Sequence, residues 1–236
     1  MNVSNLNFKY TSSKYVLENV SFTLSSEKLN VLVGLNGAGK TTLLDCITNN
    51  LELESGEINL PRDLDTLYIT QRIFFSNELK GKDFIKFIGE LVKVKKVNLD
   101  HFISDFAQEQ KNMFQHLWTM KIGQMSVGEL KQLIFFTLLK FINNRKMYIF
   151  DEITSGVDPI ARKRIFSAIN KLIQNDKICL LATHQLHDLE AFDPHLIVLH
   201  HGRVHYEGDY SEWLKKYNTT NPDEAFDHNL KEAVSE

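Results

Sequence analysis

Cysteine is nearly absent. Cys46 and Cys179 are the two in 236 residues, far apart and each without a second cysteine nearby. That spacing excludes a paired-thiol redox site and a cysteine metal site. Both thiols are expected as small buried apolar residues in a reducing compartment. Long apolar runs are also missing. A bilayer-spanning helix needs about 20 apolar residues in succession; the richest run, Leu133 to Ile142, is shorter and contains Lys140. The opening MNVSNLNFKY lacks the apolar stretch of a secretory signal. Any membrane role is therefore expected to need a partner chain. Basic residues are not in excess: 27 Lys and Arg against 30 Asp and Glu give a net charge of -3. No basic tract is present, which argues against a nucleic-acid partner.

What is there suits one α/β domain with a sizeable core, since 43% of residues are hydrophobic and 24% charged. No internal repeat is visible. Strands are predicted over 6–10, 16–24 and 28–33, then a helix from Lys40 to about Asn49, then strands over 56–60 and 67–70. From about Glu78 to Ile122 the pattern turns helical, with Phe84, Phe87, Ile88 and Leu91 at helical spacing, then Phe102, Ile103 and Phe106 and, more loosely, Met113 and Leu117. Alternation then returns: helix 127–143, strand 147–150, helix 159–175, and strands 178–183 and 196–199. Strands alternating with helices predict a parallel sheet covered on both faces. Segments 209–217 and 222–234 read as two short amphipathic helices.

Between a predicted strand and a predicted helix lies Gly34-Leu35-Asn36-Gly37-Ala38-Gly39-Lys40-Thr41-Thr42. This matches the phosphate-binding pattern G-x-x-x-x-G-K-[ST] in full, in the context that the mechanism requires. Glycines let the backbone wrap phosphate oxygens, and the helix N-terminus adds its positive dipole end. The candidate contacts are Asn36, Gly37, Ala38, Gly39, Lys40, Thr41 and Thr42. Lys40 is expected on the β- and γ-phosphates, the Thr41 hydroxyl on Mg²⁺, and Thr42 on the α-phosphate. A chance glycine-rich turn is the bland reading.

The buried-strand run Met147 to Phe150 ends in Asp151-Glu152. In an open α/β sheet that end faces the ligand crevice. Asp151 would hold Mg²⁺, mostly through water, and Glu152 would orient or deprotonate an attacking water. Two adjacent acids are ordinarily a solvated strand end; the phosphate loop tips the reading toward a site.

With these residues the chain resembles the nucleotide-binding domain of ABC (ATP-binding cassette) transporters over nearly its whole length. Gln71 resembles the Q-loop glutamine, which contacts Mg²⁺ and the attacking water. Met125-Ser126-Val127-Gly128-Glu129 resembles the signature motif, and Ser155-Gly156-Val157-Asp158 the D-loop. His184 resembles the switch histidine at the γ-phosphate. Tyr10 stands in the place of the aromatic that stacks on adenine, with Phe8 and Tyr15 as neighbouring alternatives. His187, His195, His200, His201 and His205 are read as surface or packing positions.

The resemblance implies a P-loop NTPase fold: a mostly parallel core sheet, an N-terminal antiparallel β-subdomain, and a helical subdomain inserted over about 72–125. A short C-terminal helical extension over about 209–236 completes a single domain. It implies ATP and Mg²⁺ as ligands, ATP hydrolysis, and pairing with a second cassette. In that pairing Ser126 of one chain, with the Gly128 amide, completes the site built by Lys40 of the other; Asp158 is a further ATP-binding residue that the resemblance implies. A separately encoded transmembrane permease is implied too, with the cassette on the cytoplasmic face of the membrane.

The run Asp151 to Pro159 resembles ABC-2 type exporters, whose cargo suggests a peptide or drug. The signature departs from the usual Leu-Ser-Gly-Gly-Gln at Val127 and Glu129, and Glu129 brings a carboxylate near a phosphate. Gln132 and Ile153 replace the usual arginine and proline. The rival readings are a soluble non-transport ABC ATPase, a cassette coupling ATP to a non-transport membrane process, and a weakened member of a heterodimer.

Overall fold

The computed structural model describes residues 1–11, 14–61, 65–94 and 96–235, with 233–235 as backbone alone. Contacts divide the chain into two compact units. One comprises residues 1–71, 145–155 and 168–236, the other 72–144 and 156–167.

The first unit holds two sheets. In the smaller, β1 (Asn2–Phe8) lies between β2 (Leu17–Thr23) and β4 (Ser55–Asn59), antiparallel to both. It buries Val3, Leu6 and Phe8; the register shifts between Val3 and Leu6, where Asn5 has φ 50°, which breaks the strict alternation of the strand. The larger sheet has the order β5-β6-β7-β3-β8-β9. Four of its strands are β3 (Asn30–Val33), β5 (Thr66–Ile69), β6 (Met147–Asp151) and β7 (Ile178–Thr183). With β8 (His195–His200) they run parallel. Strands β3, β6 and β7 are buried along their whole length, as interior parallel strands must be when both faces are covered. On one face lies α1 (Lys40–Ile47), whose Leu43, Leu44 and Ile47 join Leu32, Ile149, Leu180 and Ile197 in one buried cluster. Each such side chain contributes roughly 1.5–3 kcal/mol by leaving water.

Parallel register decides where the loops after the strands meet. Val33 pairs with Thr183, Asp151 with Ala182, and Ile69 with Phe150. The loops after β3, β5, β6 and β7 therefore leave the sheet at one edge and at nearly one level.

One strand is absent from the sequence reading. After β8 the chain turns at His201-Gly202 (φ 45° and 75°) into β9 (Arg203–Asp209), antiparallel on the sheet's edge. Two positive φ values are what a two-residue hairpin with the native twist demands. No residue of β9 is fully buried, so it lacks the alternation that announces a strand. The His-Gly pair is the signal that marks it.

The second unit contains α2 (Gly81–Leu91), α3 (Leu99–Ile103), α4 (Gln108–Thr119) and α5 (Val127–Phe141). Phe84 and Ile88 are buried on α2, as helical spacing predicts, whereas Phe87 and Leu91 are exposed. On α4 the buried pair is Phe114 and Leu117, one residue off the looser reading through Met113. Phe102 and Phe114 meet edge to face at 5.0 Å, and Phe106 stacks on Phe114 at 5.1 Å. Helix α6 (Pro159–Ile173) lies partly in each unit. The chain ends in α7 (Tyr210–Lys216) and α8 (Pro222–Ser235), in the first unit, where Trp213, Ala225 and Phe226 are buried.

Candidate functional site

The loop after β3 is shaped by close approach. A Cβ on Gly34 would come within 2.4 Å of the Leu199 carbonyl oxygen, and Gly39 needs φ 104°. No L side chain meets either condition without strain. Gly39 caps α1 without a side chain, and the first turn of α1 contains no acid. The leading amides of α1 are thus uncapped by any side chain and carry the helix's positive end, which suits an anion. Lys40 is buried, and its Nζ donates to the carbonyls of Gly34 (2.7 Å) and Leu35 (3.3 Å).

Opposite the loop, Thr41 Oγ1 donates to Asp151 Oδ2 at 2.8 Å. Burial pushes the Asp151 carboxyl above the usual carboxylate range, with the Thr41 hydrogen bond working against it. Asp151 Oδ1 is buried and makes no hydrogen bond. Thr41 and Asp151 bring hard oxygen donors together here, and Gln71 lines the same cavity; oxygen donors of this kind suit Mg²⁺ when phosphate and water complete its shell. Among the described residues no group of three or more His, Cys, Asp or Glu side chains is placed to hold a metal. A cation here would therefore depend on phosphate oxygens for part of its shell.

Glu152 follows at φ 52°, an uncommon conformation for a glutamate and one that clusters at functional sites. Its amide donates to Ala182 O (2.9 Å), which ties the loop to β7. The Glu152 carboxylate is buried, with Oε1 3.0 Å from His184 Nδ1 and 3.7 Å from Lys40 Nζ. Asn36, Gly37, Gly39, Lys40, Thr41, Thr42, Gln71, Asp151 and Glu152 line one cavity of about 400 Å³. Ala38 is buried beneath it, its carbonyl accepting from Gly202 N–H at 3.1 Å. Val16 also lines the cavity and was missed; no periodicity points to it.

Among the three aromatic candidates, Phe8 is in the core. Tyr10 lies beyond β1, 58% exposed, with its hydroxyl 3.1 Å from Thr42 Oγ1 and its ring set edge-on against Phe8. Tyr15 carries Lys9 over its ring at 5.7 Å.

In the second unit Ser126 is the N-cap of α5. Gly128 is buried in the first turn, and a Cβ there would lie 3.7 Å from Asp158 Oδ2. Asp158 Oδ1 accepts from the amides of Ile160 and Ala161, both at 3.0 Å, and so caps the start of α6. The signature-like and D-loop-like segments are thus neighbours.

A family profile described as ABC transporter matches residues 17–155. The chain is 30% identical over 199 residues to an uncharacterized ABC transporter ATP-binding protein of Methanocaldococcus jannaschii, covering 84% of this chain and 74% of that protein. The chain belongs to the ABC transporter family.

It is accordingly an ABC ATPase, a cassette that binds and hydrolyses ATP. It is also 28% identical over 228 residues to the ATP-dependent lipid A-core flippase of Aliivibrio fischeri, covering 90% of this chain but 38% of the flippase. Among solved structures, an ATP-binding subunit of an ABC transporter superposes with a TM-score of 0.78 at 22% identity, covering 97% and 98% of the two chains. At that identity the likeness speaks for the ABC cassette fold alone. Of the sequence-predicted residues of the first unit, Tyr10, Ala38 and His184 are not among those that line this cavity; Tyr10 reaches it through Thr42 and His184 through Glu152. The direction of the Glu129 side chain, by contrast, was open in the sequence. In the structure Glu129 Oε2 accepts from the Ser126 amide at 2.8 Å, which turns the carboxylate back on its own helix.

Proposed function

We propose that this chain is the ATP-hydrolysing motor subunit of an exporter. It works as a pair of cassettes bound to a separately encoded transmembrane permease at the cytoplasmic face of the membrane. The observation that carries the motor reading is the buried group of Lys40, Asp151 and Glu152 at one edge of the sheet, with the exposed His184 at 3.0 Å from the Glu152 carboxylate.

In this reading the uncapped amides of α1 and the Lys40 ammonium bind the β- and γ-phosphates. Tyr10 offers its exposed ring face to adenine, and Thr42 takes the α-phosphate. Thr41, Asp151 and Gln71 would hold Mg²⁺, which when bound supplies charge neutralisation for the departing phosphate. Glu152 orients the attacking water and accepts its proton. His184, at hydrogen-bond distance from the same carboxylate, holds Glu152 in line and faces the γ-phosphate. Ser126, Gly128 and Asp158 form the surface that meets the ATP of the facing cassette.

Exporter direction draws on the ABC-2 type resemblance of Asp151 to Pro159 and on the likeness to the flippase. The permease reading draws on exposed Phe74, Phe87 and Leu91 in the second unit. No helix among the described residues is long and apolar enough to cross a membrane. A peptide or drug is the proposed cargo.

Steady-state ATPase rate is measured against protein concentration, with Glu152→Gln as control. A rate per chain that climbs with concentration and vanishes in the control supports a self-pairing motor. Copurification with a membrane protein encoded next to it tests the permease, and a failure of purified chain and complex alike to hydrolyse ATP would sink the motor reading.

A further inference from the structure

Glu129 replaces the glutamine of the usual signature motif, and its geometry gives it a task. Ser126 Oγ accepts from the Glu129 amide at 3.2 Å, while Glu129 Oε2 accepts from the Ser126 amide at 2.8 Å. This reciprocal pair is a capping box, which satisfies two amides that a helix start otherwise leaves without partners. The second carboxylate oxygen, Oε1, faces His116 Nε2 of α4 at 3.8 Å. We propose that Glu129 is a positioning residue that fixes Ser126 for the γ-phosphate of the facing cassette, with His116 flanking its carboxylate. The proposal rests on the reading of Ser126 as the residue that meets that phosphate.

The capping box constrains the serine hydroxyl. With an Oγ lone pair engaged by the Glu129 amide, the Ser126 O–H is left to donate outward, and a donor is what a phosphate oxygen needs. The box also resolves the charge problem. A carboxylate free to swing would stand near a phosphate of like sign. Held on the Ser126 amide, it sits at the positive end of α5, where a negative group is favoured. His116 Nε2 stands 3.8 Å from the other carboxylate oxygen, beyond direct hydrogen-bond distance. Either glutamate or glutamine can accept from the cap amide, so the box tolerates this exchange.

The second departure fits the same frame. Val127 is the first helical residue of α5 and has no positive φ, so its backbone does not require the glycine usual there. Its side chain runs toward Gly156, where an added Cβ would lie 3.3 Å from Val127 Cγ1.

The test uses the full chain carrying Glu152→Gln, in which ATP-driven pairing is followed by sedimentation velocity with saturating MgATP. Ser126→Ala, Glu129→Ala and Glu129→Gln are each added, with ATP binding to the unpaired chain measured alongside. Ser126→Ala and Glu129→Ala are expected to weaken pairing roughly tenfold, the scale of one lost charge-assisted hydrogen bond. ATP binding to the unpaired chain should be unchanged. Glu129→Gln keeps the box and is expected to pair within about twofold of the parent. His116→Ala should weaken pairing in the Glu129 chain and leave it unchanged in the Glu129→Gln chain. Unchanged pairing in Glu129→Ala overturns the positioning role. So does pairing about tenfold tighter in Glu129→Gln, which would mean that the carboxylate had been repelling phosphate. Unchanged pairing in Ser126→Ala, or no ATP-driven pairing in the parent, overturns the underlying reading of Ser126 instead, and the role of Glu129 falls with it.

Discussion

Lys40 Nζ lies 3.7 Å from Glu152 Oε1, and both side chains are buried. The buried cation of the loop after β3 and the buried carboxylate after β6 are thus partners of one another. Lys40 also rests on two loop carbonyls, while Glu152 Oε1 is shared with His184. Phosphates entering the loop would compete for the ammonium and leave Glu152 to His184 and water. Phosphate binding and preparation of the base would then be a single rearrangement.

Glu152→Gln keeps the shape of the side chain and removes the proton acceptor. ATP affinity is expected to stay within about threefold, while turnover falls by about 10²–10⁴, the usual contribution of a general base. Nucleotide titration beside a phosphate-release assay reads both numbers; normal turnover would refute the assignment of Glu152.

Lys40→Ala removes the loop's buried cation. A charge-assisted hydrogen bond to phosphate contributes about 1.5–3 kcal/mol, so ATP affinity should fall by roughly 10- to 150-fold. Calorimetric titration checks it, and unchanged affinity would discredit the phosphate-loop reading.

His184→Ala leaves the phosphate loop intact and removes the group 3.0 Å from Glu152 Oε1. We expect kcat to fall at least about tenfold with KM for ATP little changed, the pattern of an interaction needed beyond ground-state binding. A raised KM at unchanged kcat would instead make His184 a simple binding contact.

Tyr10 separates two contributions. Stacking of a base on an aromatic ring is worth about 1–3 kcal/mol, whereas the Thr42 contact uses the hydroxyl alone. Tyr10→Phe should leave KM for ATP within about threefold, and Tyr10→Ala should raise it about 5- to 100-fold. Equal effects of both would assign the hydroxyl, not the ring, to binding.

Cys46 and Cys179 are buried, and burial pushes both thiols up to about 12. Since the thiolate is the reactive form, native protein at pH 8 should react with an aromatic disulfide at least about a hundredfold more slowly than denatured protein. Stoichiometric reaction of either thiol within minutes in the native state would contradict this burial.

Much of the site was legible because its chemistry is local. The loop Gly34 to Thr42 carries its own turn, helix start and cation in nine consecutive residues, and Asp151-Glu152 announces itself at the end of a buried run. Continuous burial of β6 and β7 likewise follows from apolar runs too short for helices. Strand β9 was not legible, since an edge strand need bury nothing fully and so loses its period. The exposure of Phe87 and Leu91 was not legible either. Helical spacing gives the faces of α2 but does not say how wide a face its neighbours cover.

The sequence by itself determined the glycine-rich loop that opens α1, the acids that end β6, and with them the expectation of a phosphate ligand. Those properties depend on residue type and short-range order. Only the tertiary structure decided that Glu152 Oε1 lies between Lys40 and His184, that Tyr10 reaches Thr42, and that Glu129 turns back onto Ser126. These relationships join residues from different strands and loops, or depend on which of several rotamers a side chain adopts. Parallel register and packing fix the first, and a hydrogen-bond partner at the helix start fixes the second.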